Sequence, residues 1–245
     1  MLEIRNLVKR YDKVEAVKGI SLKIPDGEIL GLVGPNGSGK TTTIRCALTL
    51  LEWDSGEVKI NGHDIIDEPV EARKGLGYIP DTPAMYSNLT VWQHIGFMAR
   101  VHRATNWEAR ATDILERFEL IKKKDELISS LSKGQTQKAW AACVFVPKPM
   151  VVLMDEPIAA MDPRGVHVMK ELLVEHKARG GCGLISSHQL PLIEEICTRV
   201  ALIADGRILV EGPIGELKDR VRLSQNADLE ALYIRITDLY SAEAK

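Results

Sequence analysis

Aromatic residues are scarce in this 245-residue chain, at 5%, and long apolar runs are missing. No stretch approaches the roughly 18 apolar residues of a membrane-spanning helix, so nothing here is expected to cross a bilayer. Charge of one sign is also lacking, since 32 Lys and Arg against 34 Asp and Glu leave a net charge of −2. Proteins that grip nucleic acid ordinarily carry a strongly basic face, and no nucleic-acid partner is expected. Four cysteines (Cys46, Cys143, Cys182 and Cys197) are scattered without a C-x-x-C pair. That speaks against disulfides or a metal site and for small buried hydrophobes in a reducing compartment. The opening Met1-Leu2-Glu3-Ile4-Arg5 has no apolar run behind a basic patch, which sets an expectation of no signal peptide. Asn88-Leu89-Thr90 fits a glycosylation sequon, but a cytosolic chain never meets the enzyme. Repeats and low-complexity segments are absent. What remains is a soluble, intracellular chain whose 45% apolar residues can fill the core of one large domain.

Against that background one segment stands out. Gly34-Pro35-Asn36-Gly37-Ser38-Gly39-Lys40-Thr41 is a complete G-x-x-x-x-G-K-[ST] phosphate loop. An apolar run, Ile29 to Val33, leads into it, and a helical stretch from Thr41 to Leu51, with Thr42 in its first turn, leads out. Glycines let backbone N–H groups curl around phosphate oxygens, and the helix N-terminus adds positive partial charge. Lys40 suits the β- and γ-phosphates, and the Thr41 hydroxyl suits Mg²⁺. The bland alternative is a glycine-rich turn that binds nothing; strand before and helix after argue against it. The chain is expected to bind a nucleoside triphosphate.

Short strands dominate the start: Leu2 to Val8, Ile20 to Ile24, Glu28 to Val33 and Gly56 to Ile60, with Asp26-Gly27 and Asn61-Gly62 as hairpin-type turns. Leu76 to Pro80 is a further short strand. From about Thr90 to 146 apolar residues fall at three- and four-residue spacing, which predicts a mainly helical insertion. Strands then return at Met150 to Met154, Cys182 to Ser187, Val200 to Ile203 and Arg207 to Glu211. Helices fall between them at Pro163 to Arg179 and Leu190 to Cys197. Alternation of this kind predicts an α/β fold with a mainly parallel, doubly covered sheet. Residues 213–245 read as a polar tail with two weak helices.

The second nucleotide motif is Val151-Val152-Leu153-Met154-Asp155-Glu156-Pro157. Its apolar run makes a buried strand whose C-terminal acids face the crevice where α/β ligands bind. Asp155 suits a hold on Mg²⁺, and Glu156 suits polarisation of an attacking water. Ser130-Leu131-Ser132-Lys133-Gly134-Gln135 opens a further helix. Phosphate loop, L-S-x-G-Q, D-E-P and a later histidine, in that order and spacing, resemble the ATP-binding cassette (ABC) family over residues 1 to about 215. The resemblance implies a P-loop NTPase with a mainly parallel central sheet, an N-terminal antiparallel β subdomain and an inserted α-helical subdomain. It implies one ATPase domain, 1–245: a nucleotide-binding core over 1–89 and 147–215, a helical unit over 90–146, and a tail over 216–245.

Residue by residue, the resemblance implies roles for ATP and Mg²⁺ as cofactors. Ser132, Gly134 and Gln135 would complete the ATP site of a second cassette paired head to tail; an N-cap hydroxyl and exposed N–H groups suit a γ-phosphate. Lys133 stands where the family usually has glycine. Tyr11 matches the aromatic that stacks on adenine, worth about 1–3 kcal/mol, with Val17 beside it; the alternative is an ordinary edge-strand tyrosine. Asp162 lies in the loop that crosses to the partner, and His188 matches the histidine that touches the γ-phosphate. The other five histidines (His63, His94, His102, His167 and His176) read as structural residues on polar surfaces. Asp81 departs from the family, which usually has a glutamine there; aspartate could bind Mg²⁺ but cannot donate a hydrogen bond. An acid there, and the tail from Asp228 to Thr237, resemble the bacterial branch that exports drugs, antibiotics or lipids. The implied function is the ATP-hydrolysing subunit of a transporter, peripheral on the inner face of the membrane, with a second ATPase subunit and an integral membrane subunit as partners. The rivals are a non-transport cassette and a regulatory one that binds ATP without turnover. An apolar stripe over residues 81–98, including Met85, Tyr86, Trp92 and Phe97, is expected to form the groove that receives the membrane subunit.

Overall fold

The computed structural model describes residues 1–243, and the last two positions of the expected tail lie outside them. In chain order the elements are β1 (Leu2–Tyr11), β2 (Val14–Ile24), β3 (Ile29–Val33), α1 (Lys40–Ala47), β4 (Ser55–Ile60), β5 (His63–Asp64), α2 (Pro69–Arg73) and β6 (Leu76–Ile79). Three helices follow, α3 (Val91–Val101), α4 (Trp107–Arg117) and α5 (Lys133–Phe145), with 3₁₀ turns at Ile121–Lys123 and Ile128–Ser130. Then come β7 (Val151–Asp155), α6 (Pro163–Ala178), β8 (Cys182–Ser186), α7 (Leu190–Ile196), β9 (Arg199–Ala204), β10 (Arg207–Pro213), α8 (Ile214–Arg220) and α9 (Leu229–Glu243).

The strands form two sheets. One is antiparallel, in the order β2-β1-β4-β5; the other runs β10-β9-β3-β8-β7-β6. Every pairing in the larger sheet is parallel except that of β10 with β9, an antiparallel edge. All five residues of β3, β7 and β8 are buried, as their unbroken apolar character requires of central strands covered on both faces. Successive residues then serve opposite cores. Val152 and Met154 face the helical side with α3 to α7, whereas Val151 and Leu153 join the smaller sheet and α1 on the other side.

Of the two expected turns one is a hairpin and one is not. Asn61-Gly62 closes a hairpin between β4 and β5, with both residues at positive φ. Asp26-Gly27 instead passes the chain from one sheet to the other, so the strands on either side of it do not pair. The hairpin the sequence hid lies at Asp12-Lys13. There β1 and β2 extend until Tyr11 faces Val14, with Asp12 at φ 47°. Its charged, exposed residues give no apolar alternation to read.

Capping places the helices that matter. Thr90 and Gln93 form a reciprocal capping box on α3, and Ser132 and Gln135 form another on α5. Asp162 caps α6 ahead of Pro163, accepting from the Gly165 N–H at 2.7 Å. The histidines divide differently from the surface reading. His94 and His176 are sealed in the core, His94 against Cys143 and His176 on the Cys182 carbonyl. Burial pushes both imidazoles below their ordinary range, because the charged form would lose its water.

Candidate active site

The phosphate loop leaves the C-terminal end of β3, and Asp155 and Ser186 end the neighbouring strands β7 and β8. These ends share one edge of the parallel sheet, where α/β proteins bind ligands. Within the loop Gly37 and Gly39 sit at φ 78° and 106°. A side chain at Gly39 would also bring its Cβ within 2.6 Å of the Ala16 carbonyl, so both conformation and space demand glycine. The Ser38 hydroxyl is buried without a partner. Lys40 is 7% exposed and donates to the carbonyls of Gly34 (2.7 Å) and Pro35 (2.9 Å). Burial lowers its pKa, and the carboxylates of Glu156 and Asp155 oppose that shift. Gly34, Pro35, Asn36 and Thr42 complete the loop and the first turn of α1.

A chain of hydrogen bonds ties this loop to the acids. The Thr41 hydroxyl donates to Asp155 Oδ1 at 3.0 Å, and the Ser186 hydroxyl donates to the same oxygen at 2.6 Å. Asp155 is buried, and both donors leave its Oδ2 uncommitted among the described hydrogen bonds. Glu156 takes the left-handed conformation, φ 49°, at a cost of about 1–2 kcal/mol. Its N–H is held by the Ser186 carbonyl at 3.0 Å. Two hydrogen bonds fix its carboxylate, from the His188 N–H (2.9 Å) and the Ser187 hydroxyl (3.2 Å), and His188 Nδ1 lies 2.8 Å from Oε2. Thr41, Asp155, Glu156 and His188 are therefore brought together.

Other expected residues lie apart from this cluster. The Tyr11 ring is 43% exposed, with the Lys9 ammonium 5.2 Å from its centroid, and is open to stacking. Val17 is fully buried in the core, so it offers no surface to a ligand. Ser132 and Gln135 cap α5, and a Cβ on Gly134 would meet the Ala160 carbonyl at 2.5 Å. Asp162 receives the Lys138 ammonium at 2.8 Å, which with the Gly165 N–H holds its carboxyl below the usual range. Asp81 is exposed, and among the described hydrogen bonds its carboxylate accepts only a long one, 3.4 Å, from the Thr82 hydroxyl. The sequence reading missed Ser186 and Ser187, buried hydroxyls at the end of an apolar strand. Their one signal is a polar pair directly before His188.

The family model described as "ABC transporter" matches residues 17–159, more than half of the chain. The chain belongs to the ABC transporter family. "ABC-type transporter ATP-binding protein EcsA" of Bacillus subtilis (strain 168) is 29% identical over 97% of this chain and 96% of its own length. "Linearmycin resistance ATP-binding protein LnrL" of the same organism is 30% identical over 98% of this chain and 79% of its own. "Lipopolysaccharide export system ATP-binding protein LptB" of Escherichia coli (strain K12) is 32% identical, covering 88% and 92%. A solved "ATP binding subunit of ABC transporter" superposes with a TM-score of 0.92 at 30% identity, covering 97% of this chain and 99% of that one. The cassette fold that the motifs imply is thus the fold observed, and the chain is an ATP-binding ABC transporter subunit, an ATPase.

Proposed function

We propose that the chain hydrolyses Mg²⁺-ATP at the phosphate loop, as one of two cassettes that drive a separate membrane subunit. The observation that carries this reading is the Glu156 carboxylate, fixed by His188 and Ser187 beside an Asp155 already in contact with Thr41. The residues present fit the group: a glycine cradle no side chain could enter, the partnerless Ser38 hydroxyl, and two oxygens, on Thr41 and Asp155, that suit a hard cation. Bound there, Mg²⁺ supplies charge neutralisation on the phosphates. Lys40 exchanges its backbone carbonyls for phosphate oxygens, and the loop N–H groups orient them. Glu156 takes a proton from the attacking water, and His188, steered by Glu156, presents Nε2 toward the terminal phosphate. Tyr11 stacks on adenine.

Ser132, Gly134 and Gln135 stand exposed or half-exposed at the start of α5, apart from the chain's own Asp155–Glu156 cluster, which favours their acting on the nucleotide of a second cassette. Within this reading residues 1–89 and 147–215 form the nucleotide-binding core, 90–146 the helical unit and 216–245 the tail. No helix among the described residues is long and apolar enough to cross a membrane, so the translocation path is assigned to another chain, with this one docked on its cytoplasmic side. Relatives named for linearmycin resistance, daunorubicin/doxorubicin resistance and lipopolysaccharide export support an exporter. The test is the mass of Glu156→Gln in solution: Mg²⁺-ATP should double it, and a mass that ATP leaves unchanged would overturn the paired-cassette reading.

A further inference from the structure

Gln137 lies on α5, two residues beyond the L-S-x-G-Q segment, and is buried to 1% exposure. Its Nε2 donates to two carbonyls, Pro80 at 3.1 Å and Pro157 at 3.0 Å. Both partners are acceptors only, so the amide orientation is settled: nitrogen faces the carbonyls. Oε1 is left buried with no partner. An apolar residue of equal length would avoid burying the unpaired Oε1 but would leave the Pro80 and Pro157 carbonyls without this donor, so the amide contributes through its two N–H groups. The carbonyls they hold are placed tellingly. Pro80 immediately precedes Asp81, and Pro157 immediately follows Glu156. One turn along α5, Trp140 Nε1 donates to the Tyr78 carbonyl at 2.8 Å, on the strand that leads to Pro80. The neighbouring Lys138 grips Asp162 in the loop after Pro157.

We propose that Gln137 is a positioning residue for hydrolysis. It fixes the segment that carries Glu156 against the segment that carries Asp81, and ties both to the helix that opens with Ser132. This rests on the reading of Glu156 as the base. A glutamate in the left-handed conformation has no helix or strand geometry to set its direction, so the grip on the next carbonyl acts together with the bonds from His188, Ser187 and Ser186 to set it. Without the clamp, Pro157 and Pro80 can drift apart, and displacement of about 1 Å at a reacting group costs on the order of 10²-fold in rate.

The test uses Gln137→Met, matched in length and without donors, in the full-length chain. Expected are a folded variant with a modestly lowered melting temperature, since two carbonyls lose their donor, unchanged binding of a non-hydrolysable ATP analogue, and a kcat reduced by about 10- to 100-fold. Added to Glu156→Gln, the same change should cost little more, because it acts through that carboxylate. A folded Gln137→Met with wild-type kcat overturns the proposal, as does a loss that is fully additive with Glu156→Gln. Should Gln137→Met fail to fold, Gln137→Leu carries the same expectation, and failure of both makes the residue a structural one. A Glu156→Gln enzyme that turns over normally sinks the base reading instead and is told apart by that variant alone.

Discussion

His188 Nδ1 lies 2.8 Å from Glu156 Oε2, and the backbone N–H of the same histidine reaches Glu156 Oε1 at 2.9 Å. One residue thus holds both oxygens of one carboxylate. Glu156→Gln keeps the shape and removes the base, so hydrolysis should slow by roughly 10²–10⁴-fold while ATP still binds. Single-turnover phosphate release separates the two. His188→Ala should also slow release, because it removes the ring beside Glu156 Oε2 while the backbone N–H and Ser187 still hold the carboxylate. Near-normal turnover by Glu156→Gln would move the base elsewhere.

Lys40 exchanges stability for binding. Burial lowers the pKa of its ammonium, so the folded chain tolerates this charge without favouring it. Lys40→Met should therefore leave the melting temperature equal or higher. ATP affinity should fall by about 10- to 100-fold, the value of a hydrogen bond to a charged group. A loss of both together would mean that the lysine organises the loop even without nucleotide.

How much could be read from sequence follows from how local each feature is. The loop from Gly34 to Thr41 and the pair Asp155-Glu156 are contiguous, so their chemistry is legible at once. Ser186 becomes part of the site only because β8 runs parallel to β7 in a register that sets it beside Asp155, and periodicity does not encode register. Gln137 is legible as a helix residue, but its two partners are 57 and 20 positions away. His94 and His176 were misplaced on the surface because their chemistry was weighed and their spacing was not. His94 falls three residues after Val91, and His176 three and four after Leu173 and Leu172, all of them core residues.

Those two histidines set a pH dependence. Their folded pKa values lie below the ordinary value of about 6.5 that they regain on unfolding. The unfolded chain then binds more protons below that point, so stability is complete above about pH 6.5 and falls as pH drops toward the folded values. Chemical denaturation at pH 7.5, 6.5 and 5.5 should show this loss. His94→Phe should flatten the slope by at most about 1.4 kcal/mol per pH unit, one proton's share. A slope that His94→Phe leaves unaltered would take His94 out of the acid sensitivity and assign it to His176, to His102, which burial also lowers, and to the carboxylates.

Asp81 stands exposed at the end of the segment that Gln137 anchors. As a metal contact it should affect Mg²⁺ requirement more than ATP affinity. Asp81→Ala should raise the Mg²⁺ concentration for half-maximal hydrolysis, and Asp81→Gln should remain active. Wild-type Mg²⁺ dependence in both would make it a surface acid.

An apolar groove lies beside the expected stripe, and it suits the membrane subunit better. Within 81–98, Val91 and Ile95 are sealed in the core and Trp92 packs on Trp107 of α4, because α3 is buried against both α4 and α5. Tyr86 is exposed, yet its ring is engaged edge-on by Phe97 at 5.7 Å. The apolar groove runs along the other end of α3. It holds about 760 Å³, floored by Tyr78, Met98, Trp140 and Val144 and rimmed by Leu50, Val70 and Val101, which are 59%, 70% and 59% exposed. Neither Met85 nor Tyr86 lines it. Arg73, Lys74 and Arg103 at its edge suit a short amphipathic helix with acidic flanks, of the kind a membrane subunit could extend. Val70→Glu and Val101→Glu replace exposed side chains, so folding and basal ATPase activity should be near normal. Purified in detergent with its membrane subunit, the double variant should lose the complex, while Tyr86→Glu should keep it. A complex that survives the double change and falls apart with Tyr86→Glu would return the docking surface to the stripe.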